Sequence, residues 1–191
     1  MPVITFANTK GGAGKTTLAL ITAGELARRG LRVALIDADP QQWASHGMRG
    51  ATAGASLSII GDVTVDTIEQ RIKSLKKSTD YILVDLPGSV SPLLAKGIGL
   101  SDHVLVPVQG CALDAAGGAQ VLDILKALAR DCSIRIPHSV ALTRVNSIIT
   151  TRALLVVKAM LAQQGVHVLS TPLMPGLELS LTDIFQVETS N

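Results

Sequence analysis

Lys10-Gly11-Gly12-Ala13-Gly14-Lys15-Thr16-Thr17 decides the fold. The stretch lies between a short apolar run, residues 3–7, and a segment of helical pattern that Lys15 opens. Glycines let the backbone turn tightly enough for successive N–H groups to converge on one anion. A helix that starts directly after such a turn adds its own unpaired N–H groups and the positive end of its dipole. Strand, glycine-rich turn, Gly-Lys-Thr and helix in this order read as a phosphate-binding loop for a nucleoside triphosphate. In that reading the backbone of Gly11, Gly12, Ala13 and Gly14 cradles the phosphates. Lys15 reaches the β- and γ-phosphates, the Thr16 hydroxyl ligates Mg²⁺, and Thr17 contacts the α-phosphate.

Outward from the loop, short β-rich runs alternate with helical stretches. Strands are expected at residues 3–7, 32–36, 81–84, 103–108, 139–143 and 166–169, with a weaker one at 57–60. Helices are expected at 15–29, 65–77, 91–100, 115–130 and 151–164, with Gly30 and Gly165 placed as C-terminal stops. This alternation predicts an α/β P-loop fold, a mostly parallel central sheet with helices on both faces. No internal repeat or linker breaks it, so residues 1–191 are expected to form one domain, with 50–56 as a surface loop.

Composition agrees and narrows the field. Apolar residues make up 47% of the chain and charged ones 17%, which suits strands buried on both faces and leaves little for a disordered tail. One Trp, one Tyr and two Phe are too few to grip single strands by base stacking, so any nucleic-acid contact must run through Lys and Arg on phosphates. Cys111 and Cys132 form neither a C-x-x-C pair nor a disulfide framework and are expected to be buried, inert thiols. With no apolar run of membrane-spanning length and no secretory signal pattern, the expected location is the cytoplasm.

Two strand ends carry acids. One runs into Asp37-Ala38-Asp39-Pro40-Gln41, the other into Asp85-Leu86-Pro87-Gly88. In an open parallel sheet the ligand lies beyond the carboxyl ends of the strands, so these acids are expected to face the same crevice as Lys15. Asp85 takes the role of the second magnesium element, with Asp37 a further candidate ligand. Either Asp37 or Asp39 positions the attacking water.

The loop departs from the general phosphate-loop pattern, with Thr9 where a glycine is usual and Lys10 after it. This form resembles the deviant Walker A motif of the ParA/MinD family of ATPases. The resemblance continues through Asp37–Gln41 with Trp43 shortly after, through Tyr81–Gly88, and through Asp102–Gln109 with its Pro-x-Gln ending. It is strongest to small ParA-type, VirC1-like partition ATPases. The resemblance implies an ATP-dependent sandwich homodimer in which Lys10 reaches across to the partner's phosphates. It makes Asp39 the residue that orients the hydrolytic water, and Asp85 with Gly88 the switch that senses the γ-phosphate. It places Asn146 against adenine. It also implies non-specific binding of double-stranded DNA by cations of the later chain, for which Arg130, Arg135, Arg144, Arg152 and Lys158 are the candidates. The resemblance further implies Mg²⁺-dependent hydrolysis of ATP to ADP stimulated by a ParB-like or other adaptor, and association with the bacterial nucleoid.

Other members of the superfamily offer competing expectations. A MinD-like membrane ATPase needs a C-terminal amphipathic helix with a basic face, whereas residues 179–191 carry Asp183 and Glu188 and no Lys or Arg. A metallocluster carrier wants paired interface cysteines, and an amide-forming synthetase wants further substrate-binding sequence. The chain starts at its first strand, with no preceding helix-turn-helix, which argues against operator-specific DNA binding. It ends within sixteen residues of Pro175, sooner than the resemblance leads one to expect.

Overall fold

The computed structural model describes residues 1–47, 56–109 and 112–143, together with 159, 161, 162 and 165–169. Seven strands form one sheet: β1 (Val3–Phe6), β2 (Val33–Asp37), β3 (Leu57–Ile60), β4 (Tyr81–Asp85), β5 (His103–Gln109), β6 (His138–Thr143) and β7 (His167–Val168). Their order is β3-β2-β4-β1-β5-β6-β7 and every pairing is parallel. Helices α1 (Lys15–Arg28), α2 (Trp43–Gly47), α3 (Ile68–Leu75), α4 (Pro92–Gly99) and α5 (Ala112–Asp131) connect them. This is the expected parallel α/β fold of P-loop type.

The central strands are buried, all but Tyr81 at the start of β4, because both faces are covered. One face packs Val84, Ile98, Val106 and Leu122 with α3, α4 and α5; the other packs Phe6, Leu35 and Leu83 with α1. Helix α1 turns Leu18, Ala19, Thr22, Ala23 and Leu26 inward at helical spacing. It stops where expected: Gly30 adopts φ +82° and its N–H bonds the Ala27 carbonyl, while Leu31 N–H bonds Leu26 O, a Schellman closure. Central β1 lies between β4 and β5, so the carboxyl ends of five strands gather around the turn that leads into α1. Register sets Asp37 beside Asp85, Phe6 beside Asp85, and Gln109 beside Thr143.

Four details differ from expectation, one being that α5 begins three residues early, at Ala112. Helix α3 begins three residues late, because the Thr64 N–H bonds Thr67 Oγ1 at 2.9 Å and holds that stretch as a turn. Helix α2 is new. Cys132 is exposed, correcting the expected burial: it follows the end of α5, where Ser133 at φ +58° turns the chain outward. Cys111, most of the expected loop 50–56 and most of the expected helix 151–164 fall outside the described residues.

At the amino edge of the sheet, far from the strand ends just described, Ser139 Oγ lies 3.2 Å from both His103 Nε2 and His167 Nδ1. Burial lowers the His103 pKa to about 4, and the charges of His138 and His167 add to the drop. A histidine depressed below its unfolded value disfavours folding as it takes up a proton. Its neutral form supports the fold above the ordinary histidine range, and that support is lost as pH falls from there towards 4. Thermal unfolding followed by circular dichroism should show a midpoint that drops between pH 6.5 and pH 4.5, and His103→Gln should flatten that drop.

Candidate functional site

The loop between β1 and α1 is held by its carbonyls. Gln109 Nε2, at the end of β5, donates to Gly12 O, and Thr143 Oγ1, at the end of β6, donates to Ala13 O at 2.9 Å. Lys10 O accepts from Lys15 Nζ at 3.3 Å, and Gly14 O accepts from Leu18 N–H at 2.9 Å. With those carbonyls engaged by the protein, N–H groups are what the turn has left to offer an incoming ligand. Gly12 and Gly14 take φ of +77° and +96°, the left-handed values that alternate in an anion-binding nest. Gly14 is also the N-cap of α1, so the helix opens directly on the loop.

Lys15 is 5% exposed and lies in a cleft of about 660 Å³. Burial pushes its pKa below the ordinary lysine value, while the charges of Asp85 and then Asp39 oppose that shift. Asp85, fully buried at the end of β4, accepts a 2.6 Å hydrogen bond from Thr16 Oγ1 on its Oδ2. Burial pushes its carboxyl up to about 7; the Thr16 hydroxyl opposes the rise, neighbouring Asp37 adds to it, and Lys15 and Asp39 act more weakly in opposite senses. Asp37 is 1% exposed, and its Oδ2 accepts the Ser45 N–H of α2 at 2.8 Å.

Among the described residues, Asp85 Oδ1 and Asp37 Oδ1 are buried without any hydrogen-bond partner. A buried carboxylate oxygen with no donor is costly unless something else satisfies it. A hydroxyl and a carboxylate beside such an oxygen suit Mg²⁺, which keeps several waters and takes few protein ligands. One hydroxyl and one carboxylate, Thr16 and Asp85, are a sparse donor set that fits an ion shared with phosphate.

Asp39 lines the far wall of the cleft with Pro40, Gln41 and Trp43. Its Oδ1 accepts Gln41 N–H and its carbonyl accepts Gln42 N–H, both at 2.9 Å, a tight turn that presents the carboxylate. Trp43 is 62% exposed on the rim, its indole N–H bonded to Gln41 Oε1. Gly88 passes over the lysine: a Cβ there would lie 3.0 Å from Lys15 Nζ and 3.2 Å from Gly11 Cα. Thr16, Thr17 and Ser89 complete the mouth.

The structure thus gathers Lys15, Thr16, Thr17, Asp39 and Gly88 around one cleft, with Asp85 buried against Thr16. Asp37 lies behind it, tied to α2. Arg130 is exposed but paired with its neighbour Asp131 at 2.6 Å, and Arg135 is exposed. Arg144, Asn146, Arg152 and Lys158 lie outside the described residues. A run of exposed cations among the described residues, not singled out from sequence, is Arg71, Lys73, Lys76 and Lys77 on and just after α3. Gln109 and Thr143, also missed, carry the loop.

The sequence model of the CobQ/CobB/MinD/ParA nucleotide binding domain matches residues 4–176. The chain belongs to the ParA/MinD family. It is 33% identical over 173 residues to protein ParA of Rhizobium radiobacter, covering 91% of this chain and 78% of that one. It is 31% identical over 125 residues to maintenance of carboxysome distribution protein A of Halothiobacillus neapolitanus, covering 63% of this chain and only 56% of that longer relative. Chromosome-partitioning ATPases named Soj are among its other relatives. Apo McdA of Cyanothece superposes with a TM-score of 0.77 over 92% of this chain and 87% of its own, at 18% identity, a likeness of fold. ParA/MinD proteins are nucleotide-binding ATPases, and ParA/Soj-type partition ATPases stand among this chain's relatives.

Proposed function

We propose that this chain is a partition-type ATPase that binds ATP with Mg²⁺, hydrolyses it slowly, and changes its partners according to which nucleotide it holds. The observation that carries the reading is the Thr16–Asp85 contact, set beside buried Lys15 at the mouth of a helix-capping glycine turn. The loop N–H groups and Lys15 hold the phosphate chain. Thr16 and Asp85 hold the metal, with Asp37 behind them as a further acid. Mg²⁺, when bound, supplies positive charge to the phosphate oxygens on which negative charge develops. Asp39 orients the attacking water and takes up its proton through the free carboxylate oxygen. Gly88, against Lys15, lets the segment after β4 respond to the γ-phosphate. Lys10 reaches the phosphates held by a second copy, and Asn146 contacts the adenine.

In the ATP-bound state the homodimer binds double-stranded DNA through basic side chains, among them Arg130, Arg135, Arg144, Arg152 and Lys158. A ParB-like adaptor promotes hydrolysis and release, so that plasmid, chromosome or another cargo is positioned in the bacterial cytoplasm along the nucleoid. The protein names of the relatives, ParA and the Soj partitioning ATPases, support this choice of role. No helix among the described residues is long and apolar enough to cross a membrane.

The deciding test is co-sedimentation with non-specific duplex DNA in ATP, in ADP and without nucleotide, at two salt concentrations. Binding is expected with ATP only. Where about four phosphates are neutralised, affinity should fall by roughly a hundredfold between 50 and 200 mM salt. Equal binding in all nucleotide states would refute the switch, and binding to anionic vesicles in place of DNA would favour a membrane role.

A further inference from the structure

Beneath Lys10 lies a lock between the loop and α5. Asn8 follows β1 and is fully buried, with both ends of its amide in use. Its Nδ2 donates to Pro107 O of β5 at 2.7 Å, and its Oδ1 accepts the Lys10 N–H at 2.8 Å. Helix α5 comes directly onto this pair through Gly117. A Cβ at Gly117 would lie 2.2 Å from Asn8 Oδ1, 2.9 Å from Lys10 Cβ and 3.0 Å from Lys10 N. At neighbouring Gly118 a Cβ would meet Val108 Cγ2 at 2.9 Å, so neither helix nor strand has slack to move aside. Thr9 closes the contact from the other side, its hydroxyl donating towards Gly117 O at 3.2 Å and towards Gln120 Oε1.

Such precision is more than a turn requires. The turn from Gly12 to Gly14 is held separately, by Gln109, Thr143 and the start of α1, and Lys15 meets Lys10 only through a long 3.3 Å bond to its carbonyl. The Asn8–Thr9–Gly117 contacts meet the loop at Lys10, on its N–H and its Cβ. They also explain why threonine stands where a glycine is usual: its hydroxyl is the tie to α5.

We propose that Asn8, Thr9 and Gly117 are positioning residues that aim Lys10, and that α5 is the support from which that lysine is aimed. The inference rests on the reading of Lys10 as the lysine that serves a second subunit's nucleotide. A misplacement of about 1 Å in a group of this kind costs on the order of a hundredfold in rate, while a group serving only the partner's site contributes little to nucleotide binding by a monomer. A lock on Lys10 should therefore separate turnover from binding.

The test compares Lys10→Ala, Gly117→Ala, Thr9→Val and the double variant Lys10→Ala/Gly117→Ala, each checked for folding by circular dichroism. ATP affinity is read by titration, ATP-dependent dimerisation by light scattering, and turnover by phosphate release. Gly117→Ala is expected to keep monomer ATP affinity within about threefold while losing the ATP-dependent dimer and about tenfold to a hundredfold in turnover. The double variant should be no worse than Lys10→Ala, because the two changes disable the same group. Thr9→Val removes only a surface hydroxyl tie and should lower turnover by a few-fold at unchanged ATP affinity, which keeps the inference testable if Gly117→Ala does not fold. Normal dimerisation and turnover in the glycine and threonine variants beside a defective Lys10→Ala would overturn the inference alone. Parallel loss of ATP affinity and turnover in Gly117→Ala would also overturn it, since the contact would then shape the whole loop. Wild-type behaviour of Lys10→Ala would overturn the reading of Lys10 itself, and the inference with it.

Discussion

Lys15→Ala is expected to lose ATP binding, with affinity falling by at least about thirtyfold, as titration with a fluorescent ATP analogue would measure. The size follows from where the ammonium lies. It is 5% exposed, and burial already lowers its pKa, so the charge sits desolvated beside Asp85 and Asp39. A desolvated cation poised over a glycine turn gains strongly when polyphosphate arrives, and truncating one partner of such a pair costs about 2–5 kcal/mol. The same surroundings predict that the variant folds. Without the lysine, Asp85 loses a neighbour that favours its charge, and its carboxyl, already raised to about 7, simply holds its proton more firmly. Thermal unfolding should therefore stay close to wild type while nucleotide binding disappears. Wild-type ATP affinity in a folded Lys15→Ala protein would remove the phosphate-loop assignment.

The sheet was legible because its central strands are short, apolar and buried on both faces, and because Gly30 marks the end of α1. Helix ends were less so. Val65 reads as helical, yet a threonine hydroxyl pairs with the backbone there and delays α3. Helix α2, at five residues, is too short to show a period. Within the site, the acids at strand ends were visible as Asp after an apolar run, since parallel strands bring their carboxyl ends to one edge. What was not visible is how the loop is held. Gln109 and Thr143 reach Gly12 and Ala13 across 97 and 130 positions of sequence, and Asn8 meets Gly117 only once α5 packs onto the sheet. The local signals available were Asn8, a polar residue directly after a buried strand, and the Pro-x-Gln ending at Gln109. Cys132 shows the converse error: cysteine's general preference for burial gives way to its place beyond the end of a surface helix.

Asp39→Ala is expected to bind ATP within about threefold of wild type and to lose roughly a hundredfold to a thousandfold in turnover, measured as phosphate release at saturating ATP. Asp39 has two jobs in the structure, and they can be separated. Its Oδ1 accepts the Gln41 N–H at 2.9 Å and so helps to shape the turn. Its other oxygen takes no hydrogen bond among the described residues and is the one left for water. The turn does not depend on Asp39 alone. Gln42, at φ +49°, donates through Nε2 to Asp62 Oδ1 at 2.6 Å, and Trp43 ties back to Gln41. Those contacts should keep the segment in place when the carboxylate is removed, so the loss in Asp39→Ala reads the carboxylate more than the loop. Asp39→Asn sharpens the distinction, because an amide oxygen still accepts the Gln41 N–H but cannot take up a proton from water. If Asp39 acts on the water, Asp39→Asn should be as slow as Asp39→Ala; if it only shapes the turn, Asp39→Asn should recover most of the rate. Near-normal turnover in both variants would move the water-positioning role off Asp39. The remaining acid near the site, Asp37, spends Oδ2 on Ser45 N–H but leaves Oδ1 without a partner, so such a result would make Asp37 the next candidate for the water.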